Sequence, residues 1–189
     1  MTHPQQTSLF HNTAATWTGS DDYETPDRIA RYMASLIRPH EHFIIEPSAG
    51  CGNISAHLPN GTHCVERNPA RWAIGLEKQP QHHWVCADYL GFEPDVIMNR
   101  GADVVIGNPP FSLWVEFLNH SLQLIHRRGR ILFIGPCDTF HKPSTLKALA
   151  EPVTVNPMPI VGRVAYMRDG VAMQGRQIYD SVFEVTLRG

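Results

Sequence analysis

The chain has 189 residues, 42% of them hydrophobic, and a formal net charge of −2. This length and apolar content suit one α/β domain with a buried core. A slightly acidic chain does not bind nucleic acid through net charge, so any such contact has to use local basic patches. Because no stretch resembles a signal peptide or a membrane span, we expect a cytoplasmic protein.

The N-terminal region changes character near residue 20. Residues 1–20 are rich in Thr, Ser, Gln and Asn, which predicts a mobile arm. Residues 21–189 are expected to form a single domain. Thr25 is predicted to cap a first helix that has Pro26 in its first turn, and this helix should end before Pro39.

Strand and helix patterns alternate through the rest of the chain. The predicted strands are His42–Glu46, Thr62–Glu66, His83–Cys86, Asp103–Gly107 and Arg130–Gly135. The predicted helices are a short one from Asn53, then Pro69–Lys78, Ser112–Arg127 and Ser144–Ala150. This alternation implies right-handed crossovers in a Rossmann-like α/β fold, with a seven-stranded, mostly parallel sheet and helices on both faces. Val153–Val155 and Asp180–Leu187 predict a closing antiparallel hairpin at the sheet edge.

The cysteines and histidines show no metal-binding pattern. The four cysteines lack Cys-x-x-Cys spacing, and the tight pair His82-His83 has no third ligand nearby, so we expect no metal site. Cys64 and Cys86 lie in apolar runs and are predicted to be buried thiols.

A glycine-rich turn, Glu46-Pro-Ser-Ala-Gly-Cys-Gly-Asn53, follows the first strand. Ligands of doubly wound sheets bind at the carboxyl ends of strands, and glycines there let the backbone turn sharply beside a ligand. A Gly-x-Gly by itself is equally consistent with a plain turn. The string lacks the third glycine of a dinucleotide fingerprint and the Gly-Lys-Ser/Thr of a phosphate loop. The candidate binding residues are Glu46, Pro47, Ser48, Ala49, Gly50, Gly52 and Asn53.

Two carboxylates follow at the ends of the next strands. Glu66 ends the second strand and can accept hydrogen bonds from both hydroxyls of a ribose. Asp88 follows the third strand and can accept from an adenine amine. Either residue alone would be an ordinary charged loop residue, but their order after the glycine turn favours a nucleoside-type cofactor. Arg67 and Tyr89, which come next in the chain, are included in this candidate site.

The tetrapeptide Asn108-Pro109-Pro110-Phe111 follows the fourth strand. The Asn108 side-chain carbonyl and the Pro109 backbone carbonyl, held by the rigid Pro-Pro unit, can accept the two N–H groups of an amine. Such acceptors act by position and aimed dipoles, and no strong base is required. Phe111 offers a flat face for a base. The plainer interpretation is a strand-ending turn with a core phenylalanine.

Together these motifs resemble class I S-adenosylmethionine-dependent methyltransferases, and among them the N6-adenine DNA methyltransferases. The resemblance runs from about Tyr23 to the end and includes Asp22-Tyr-Glu-Thr-Pro26, which is similar to a Thr-Pro motif of that family. It implies S-adenosyl-L-methionine as the cofactor, with Thr25 and Pro26 at its methionine end. It also implies methylation of a DNA adenine that is flipped out or single-stranded. A bacterial or phage-type setting would suit such an enzyme.

The chain departs from the family in having no room for a separate target-recognition domain, so short or relaxed sequence specificity is expected. An RNA adenine-N6 methyltransferase is the nearest alternative, although no RNA-binding module is visible. A protein-glutamine methyltransferase is weaker, since that group usually has Tyr in place of Phe111. A non-catalytic scaffold is disfavoured because Glu66, Asp88 and Asn108 are all present. Monomer and homodimer both stay open.

Basic residues are few. The run His126–Arg130 should lie at the amino ends of the strands, opposite the active face, as a solvated helix end. The loop 161–177 is expected to reach phosphates and to cover the target base, where Tyr166 stacks or packs. The candidate nucleic-acid contacts are His141, Lys142, Arg163, Tyr166, Arg168 and Arg176.

Overall fold

A computed structural model describes residues 23–93, 100–162, 164–168, 171–172 and 180–188. The predicted N-terminal arm, Arg163 and Arg176 lie outside the described residues. None of the helices in the described ranges is long and apolar enough to span a membrane.

A seven-stranded sheet with the order β3-β2-β1-β4-β5-β9-β6 forms the centre of the fold. Its strands are β1 Ile44–Pro47, β2 His63–Glu66, β3 His83–Cys86, β4 Ala102–Gly107, β5 Ile125–Pro136, β6 Val153–Pro159 and β9 Asp180–Leu187. Strands β1 to β6 run in one direction and β9 runs against them. The predicted Rossmann-like, mostly parallel sheet with a terminal antiparallel pair is therefore confirmed.

The last strand lies inside the sheet and not at its edge. Residue Val185 of β9 pairs with Ile131 of β5 on one side and with Val155 of β6 on the other. Because β6 is the edge strand, it tolerates Pro157 and Pro159, which cannot donate ladder hydrogen bonds. The predicted loop 161–177 contains a small ribbon in which β7, Met167–Arg168, pairs with β8, Val171–Ala172.

Four α-helices are described: α1 Asp27–Ser35, α2 Pro69–Lys78, α3 Trp114–Leu124 and α4 Pro143–Ala148. The bounds of α2 match the prediction, and the Asn68 side chain caps this helix by accepting hydrogen bonds from the backbone of Ala70 and Arg71. The predicted cap of α1 is wrong, since Pro26 occupies the cap position and no side chain caps the helix. Thr25 is buried instead.

Helix α3 is shorter than predicted. It ends at Leu124, and Ile125 already lies in β5, paired beside Ala102 of β4. Ile125 is buried there, so sheet pairing replaces the final helical turn that its apolar spacing suggested. A 3₁₀ turn at Phe111–Leu113 precedes the helix.

Apolar side chains form two clusters, and Phe111 packs against both of them. Cys64 of the interior strand β2 is buried, as predicted, but Cys86 is exposed and its predicted burial is wrong. The reason is topological, because β3 is an edge strand and its apolar run is only partly covered.

Candidate functional site

A cleft opens where β1, β2 and β4 end. Its wide lobe has a volume of about 300 Å³ and is lined by Glu66, Asp88 and Leu113 among others. Its narrow lobe has a volume of about 30 Å³ and is lined by Thr25, Glu46 and Gly50 among others. Both lobes are lined by Tyr23, Ser48, Arg71 and Asn108.

The glycine turn between the lobes uses left-handed backbone at three positions. Ser48, Gly50 and Gly52 have φ angles of 51°, 59° and 88°. A Cβ atom at Gly52 would lie 3.2 Å from both Gln79 Cγ and Ser55 Oγ, so glycine is needed there for space as well as conformation. The turn is tied to the N-terminal segment because Asn53 Nδ2 donates to the Thr25 carbonyl over 3.1 Å.

Glu66 locks the turn to β2. Its two carboxylate oxygens accept the backbone N–H groups of Gly50 and Asn68, both over 2.7 Å. A carboxylate offers about four lone-pair sites, so each oxygen can still accept another donor from the cleft. Glu66 therefore has a shaping role that its position at a strand end did not reveal, and its contact with a ribose stays a prediction.

The far end of the wide lobe contains a second carboxylate. Asp88 Oδ1 accepts the N–H of Leu90 over 3.1 Å, and its Oδ2 lies 3.8 Å from Arg67 Nη1. The Tyr89 hydroxyl is hydrogen-bonded to Ser121 Oγ over 2.8 Å inside the core. Tyr89 thus forms part of the lobe wall, while its hydroxyl belongs to the core.

Glu46 lies beneath the glycine turn and is only 2% exposed. Burial raises the pKa of this carboxyl well above its usual range, and the negative charge of Glu66 raises it further. The Cys64 thiol points at Glu46 Oε2 over 3.9 Å. Because its pKa is raised, Glu46 keeps its proton to a higher pH than an exposed glutamate does.

The tetrapeptide places its first residue where the two lobes meet. Asn108 Oδ1 is buried, and no hydrogen-bond donor among the described residues pairs with it. The Asn108 carbonyl lies 3.4 Å from Ser48 Oγ, which itself donates to the Pro47 carbonyl over 2.6 Å. A buried acceptor without a donor is costly, so Asn108 Oδ1 is suited to receive an N–H group from a bound molecule.

Three aromatic rings cover the outer side of the tetrapeptide. The ring centroids of Tyr23, Phe111 and Tyr166 lie 5.6 to 6.2 Å apart. The Tyr166 hydroxyl donates to Asp180 Oδ2 over 2.8 Å, which fixes this buried ring. A base sandwiched between two parallel rings needs about 7 Å between them. The centroid distances of 5.6 to 6.2 Å therefore leave too little room for a flat ring between two of these rings unless they move apart.

Of the residues predicted to contact nucleic acid, Tyr166 and Arg168 lie near the tetrapeptide. Tyr166 packs against Phe111, and the Arg168 guanidinium lies over the Tyr23 ring, 5.5 Å from its centroid. His141 and Lys142 are exposed, and Lys142 Nζ lies 3.0 Å from Asp138 Oδ1. These contacts stay predictions.

The run His126–Arg130 lies at the amino end of a strand, as predicted, but it belongs to β5 and not to a helix end. Arg127 and Arg128 are exposed, whereas Arg130 is 3% exposed, so the predicted solvation is wrong for Arg130. Its guanidinium pairs with Glu41 over 2.6 Å and with Glu184 over 3.0 Å. Hydrogen bonds and charge complementarity draw this arginine into the base of the fold.

Several residues that line the cleft were not predicted as site residues, among them Arg71 and the two residues before Thr25, Tyr23 and Glu24. The signal for Arg71 was its place in the first turn of the helix that follows Glu66, since that turn starts at the active edge of the sheet. Within the described ranges, no three His, Cys, Asp or Glu side chains are grouped so that they could hold a metal ion.

No protein-family profile matches the chain, and no curated protein matches it in sequence. Solved structures match in shape at low identity. A putative class I S-adenosylmethionine-dependent methyltransferase from Listeria monocytogenes has a TM-score of 0.66 at 14% identity, over 89% of this chain and 62% of that one. The M protein of the type I restriction enzyme EcoKI has a TM-score of 0.65 at 15% identity, over 89% of this chain and 44% of that one.

A putative RNA methyltransferase from Pyrococcus horikoshii has a TM-score of 0.62 at 16% identity, over 87% of this chain and 86% of that one. These similarities extend over most of the chain. The chain therefore has the Rossmann-like fold found in class I S-adenosylmethionine-dependent methyltransferases.

Proposed function

We propose that the chain transfers a methyl group from S-adenosyl-L-methionine to the N6 amine of adenine in DNA. The observation that carries this proposal is Asn108 Oδ1, a buried acceptor at the junction of a two-lobed cleft for which the described part of the chain provides no donor. The sequence Asn-Pro-Pro-Phe at this place, and the shared fold of methyltransferases that includes a restriction-enzyme M protein, support it.

The cleft suits this cofactor. Glu66 and Asp88 line the wide lobe and offer carboxylate oxygens to ribose hydroxyls and to an adenine amine. Gly50 and Thr25 line the narrow lobe, where the methionine end would lie. S-adenosyl-L-methionine bound in this way supplies an electrophilic methyl group on a sulfonium. Asn108 lines both lobes, so it would lie beside the methyl group of a cofactor that occupies both.

Asn108 and Pro109 act on the amine. The Asn108 side-chain carbonyl accepts one N6–H and the Pro109 carbonyl accepts the other, which turns the nitrogen lone pair toward the methyl carbon. Bound beside these acceptors, S-adenosyl-L-methionine would supply its methyl carbon to the nitrogen, the electron pair of the C–S bond would stay on sulfur, and the extra proton on nitrogen would leave to solvent. Positioning and aimed dipoles supply the rate gain.

The target base reaches Asn108 past the aromatic cluster. A base inside a duplex is out of reach, so it is flipped out or taken from single-stranded DNA. Phe111 provides a face for stacking, and Arg168, His141 and Lys142 are proposed to contact the phosphates. The proposed sequence specificity is short or relaxed.

The test uses radiolabelled S-adenosylmethionine with DNA, RNA and protein in separate reactions, followed by digestion to nucleosides or amino acids. Label in N6-methyladenine from DNA is expected. Label in RNA alone would show that the substrate is RNA, and label in glutamine would show a protein methyltransferase. Absence of transfer to all three would favour a scaffold.

The Asn108→Ala variant tests the mechanism. Loss of one aimed dipole should lower kcat by about 10²- to 10³-fold. Cofactor affinity should change far less, since Glu66 and the glycine turn remain. Asn60→Ala, at an exposed turn before β2, is the matched control and should keep full activity. An Asn108→Ala enzyme as active as this control would refute the proposed role.

A further inference from the structure

The strand β6 is one edge of the central sheet. In the described part of the chain, β9 pairs with one side of β6 and no strand pairs with the other side. Exposed edges of native sheets usually carry charged side chains or prolines, which prevent pairing with another chain. Residues 152–161 contain no charged side chain, and Pro157 and Pro159 lie in the second half of the strand. The first half, residues 153–155, is therefore open to another strand.

The hydrogen bonds between β6 and β9 determine which backbone groups of β6 face outward. The Arg188 N–H donates to the Pro152 carbonyl over 3.0 Å, and the Ile160 N–H donates to the Asp180 carbonyl over 3.3 Å. Hydrogen-bonded and non-hydrogen-bonded pairs alternate along an antiparallel ladder. The even-numbered residues of β6 thus bond to β9, and the odd-numbered residues point their backbone groups away from it.

The four odd-numbered residues of β6 are Val153, Val155, Pro157 and Pro159. The two prolines occupy positions at which an N–H group would face outward, so the ladder to β9 loses no hydrogen bond. Val153 and Val155 each present one N–H and one carbonyl at the open edge. A pairing strand can therefore use these two residues fully, whereas the prolines offer it no donor.

An open apolar groove of about 530 Å³ lies beside this half of the edge, between β6 and α4. It is lined by Leu146 of α4, which is 53% exposed, and by the half-buried Val153 and Val155. Both valines pack against the core from the same face of the sheet. Leu146 and Val161 are two of the four large apolar side chains that are exposed within the described ranges. Unpaired backbone and apolar surface thus occur together at this edge.

We propose that two copies of the chain pair antiparallel through their β6 edges, about a twofold axis at Thr154. In this register Val153 of each copy lies opposite Val155 of the other, and all four outward N–H groups donate to the four outward carbonyls. The side chains of opposite valines come within about 5 Å of each other, which covers them and joins the two grooves on one face. Because residues 152–161 are uncharged, the paired segments bring no like charges together.

This pairing also sets the arrangement of the two clefts. Strand β6 runs in the same direction as the strands that end at the cleft, whereas the two copies of β6 run in opposite directions. The clefts therefore open at opposite edges of the joined sheet, and each copy would bind its substrate separately. The inference concerns a surface outside the cleft and does not depend on the proposed reaction.

Sedimentation equilibrium tests the surface. The mass of the wild-type protein should rise from 21.3 kDa toward twice that value as its concentration approaches about 0.5 mM, since a narrow interface is weak. Val155→Pro removes an outward N–H from each copy and no hydrogen bond to β9, so it should weaken the dimer by about 10- to 100-fold. Val155→Ala, which also shortens the side chain but keeps the N–H, is the control and should dimerise more tightly than Val155→Pro.

Cysteine cross-linking tests the register, in a protein whose exposed Cys86 and Cys137 are changed to serine. Thr154→Cys places two Cα atoms about 4.5 Å apart across the axis, which is within the range of a disulfide. This variant should form a covalent dimer under mild oxidation. Asn156→Cys is exposed on the same face but places the two Cα atoms about 14 Å apart, so this control should stay monomeric on a non-reducing gel.

A wild-type protein that remains at 21.3 kDa at about 0.5 mM would overturn the proposal. A dimer that Val155→Pro does not weaken relative to Val155→Ala would show that another surface is used. Cross-linking of Asn156→Cys as readily as Thr154→Cys would overturn the register, and this measurement needs no proline variant to fold. Neither experiment uses a cofactor or nucleic acid, so both outcomes are independent of whether the chain methylates adenine.

Discussion

Gly50 and Gly52 are two residues apart in the turn after β1, yet different forces select glycine at each position. Gly50 has a φ of 59°, and the nearest atom to an added Cβ is Arg71 Nη1 at 3.9 Å. Gly52 has a φ of 88°, and an added Cβ would meet two side-chain atoms at 3.2 Å. Conformation alone is decisive at Gly50, whereas conformation and space act together at Gly52.

We expect Gly52→Ala to lower the free energy of unfolding by about 1–3 kcal/mol, since left-handed strain adds to crowding. Gly50→Ala should lose only the strain, about 1 kcal/mol. Gly91→Ala, with no atom within 4 Å of its Cβ, should change stability by less than about 0.5 kcal/mol. Urea denaturation measures all three. Equal stability of the Gly52 and Gly91 variants would contradict the crowding argument.

At the scale of elements, the Arg130 side chain in β5 makes hydrogen bonds to three other segments. Arg130 donates to Glu41 before β1, to Glu184 of β9 and to the Leu36 carbonyl after α1. Burial opposes a charged Glu41, but the hydrogen bonds from Arg130 and from the Arg38 N–H outweigh it and lower the pKa of this carboxyl. One arginine thus fastens the end of the sheet opposite the cleft.

Arg130→Met should lower the free energy of unfolding by about 3–5 kcal/mol, because it leaves a buried carboxylate unpaired. Adding Glu41→Leu should recover much of the lost unfolding free energy, since the buried carboxylate left without its arginine is then removed. Arg38→Met removes a half-exposed partner of Glu184 and should cost under about 1 kcal/mol. Guanidinium denaturation of the variants is the measurement. A loss at Arg130 no larger than at Arg38 would count against this role.

For the whole molecule, the buried Glu46 ties stability to pH. Burial, assisted by the charge of Glu66, raises the pKa of Glu46 in the folded state. A carboxyl with a raised folded pKa binds its proton more tightly when folded. Its stabilising contribution is therefore complete below the unfolded pKa of about 4.3 and is lost as pH rises through the folded value.

The Glu46→Gln variant should remove this dependence. Relative to the variant, the wild-type protein should lose unfolding free energy steadily as pH rises above about 4.3. Urea denaturation from acidic to mildly alkaline pH measures the difference. Glu77→Gln, at an exposed position of α2, should follow the wild type at every pH. A constant difference between Glu46→Gln and the wild type would contradict the argument.

Sequence patterns correctly predicted those elements whose bounds are set by interactions between neighbouring residues. The bounds of α2 and β3 match the prediction. In the structure the Asn68 side chain caps α2 at Pro69, so the start of this helix is set by neighbouring residues. The same patterns failed at Ile125, which is paired in a strand, and at Cys86, which is exposed. The spacing of apolar residues does not indicate which other segment a residue will pack against. At both positions, the neighbouring strands in the sheet determined the secondary structure or the burial.

By itself the sequence determined the order of strands and helices, the glycine turn and the residues at the strand ends that make up the candidate site. Only the tertiary structure decided that Asn108 Oδ1 is buried without a donor, that Arg130 lies inside the fold, and that Glu24 meets Arg71 in the narrow lobe. Glu24 and Arg71 are far apart in the chain, and they come within 4.0 Å of each other only in the folded protein. Turn strain, capping and apolar spacing act between near neighbours, whereas burial and charge pairing exist only after distant segments have come together.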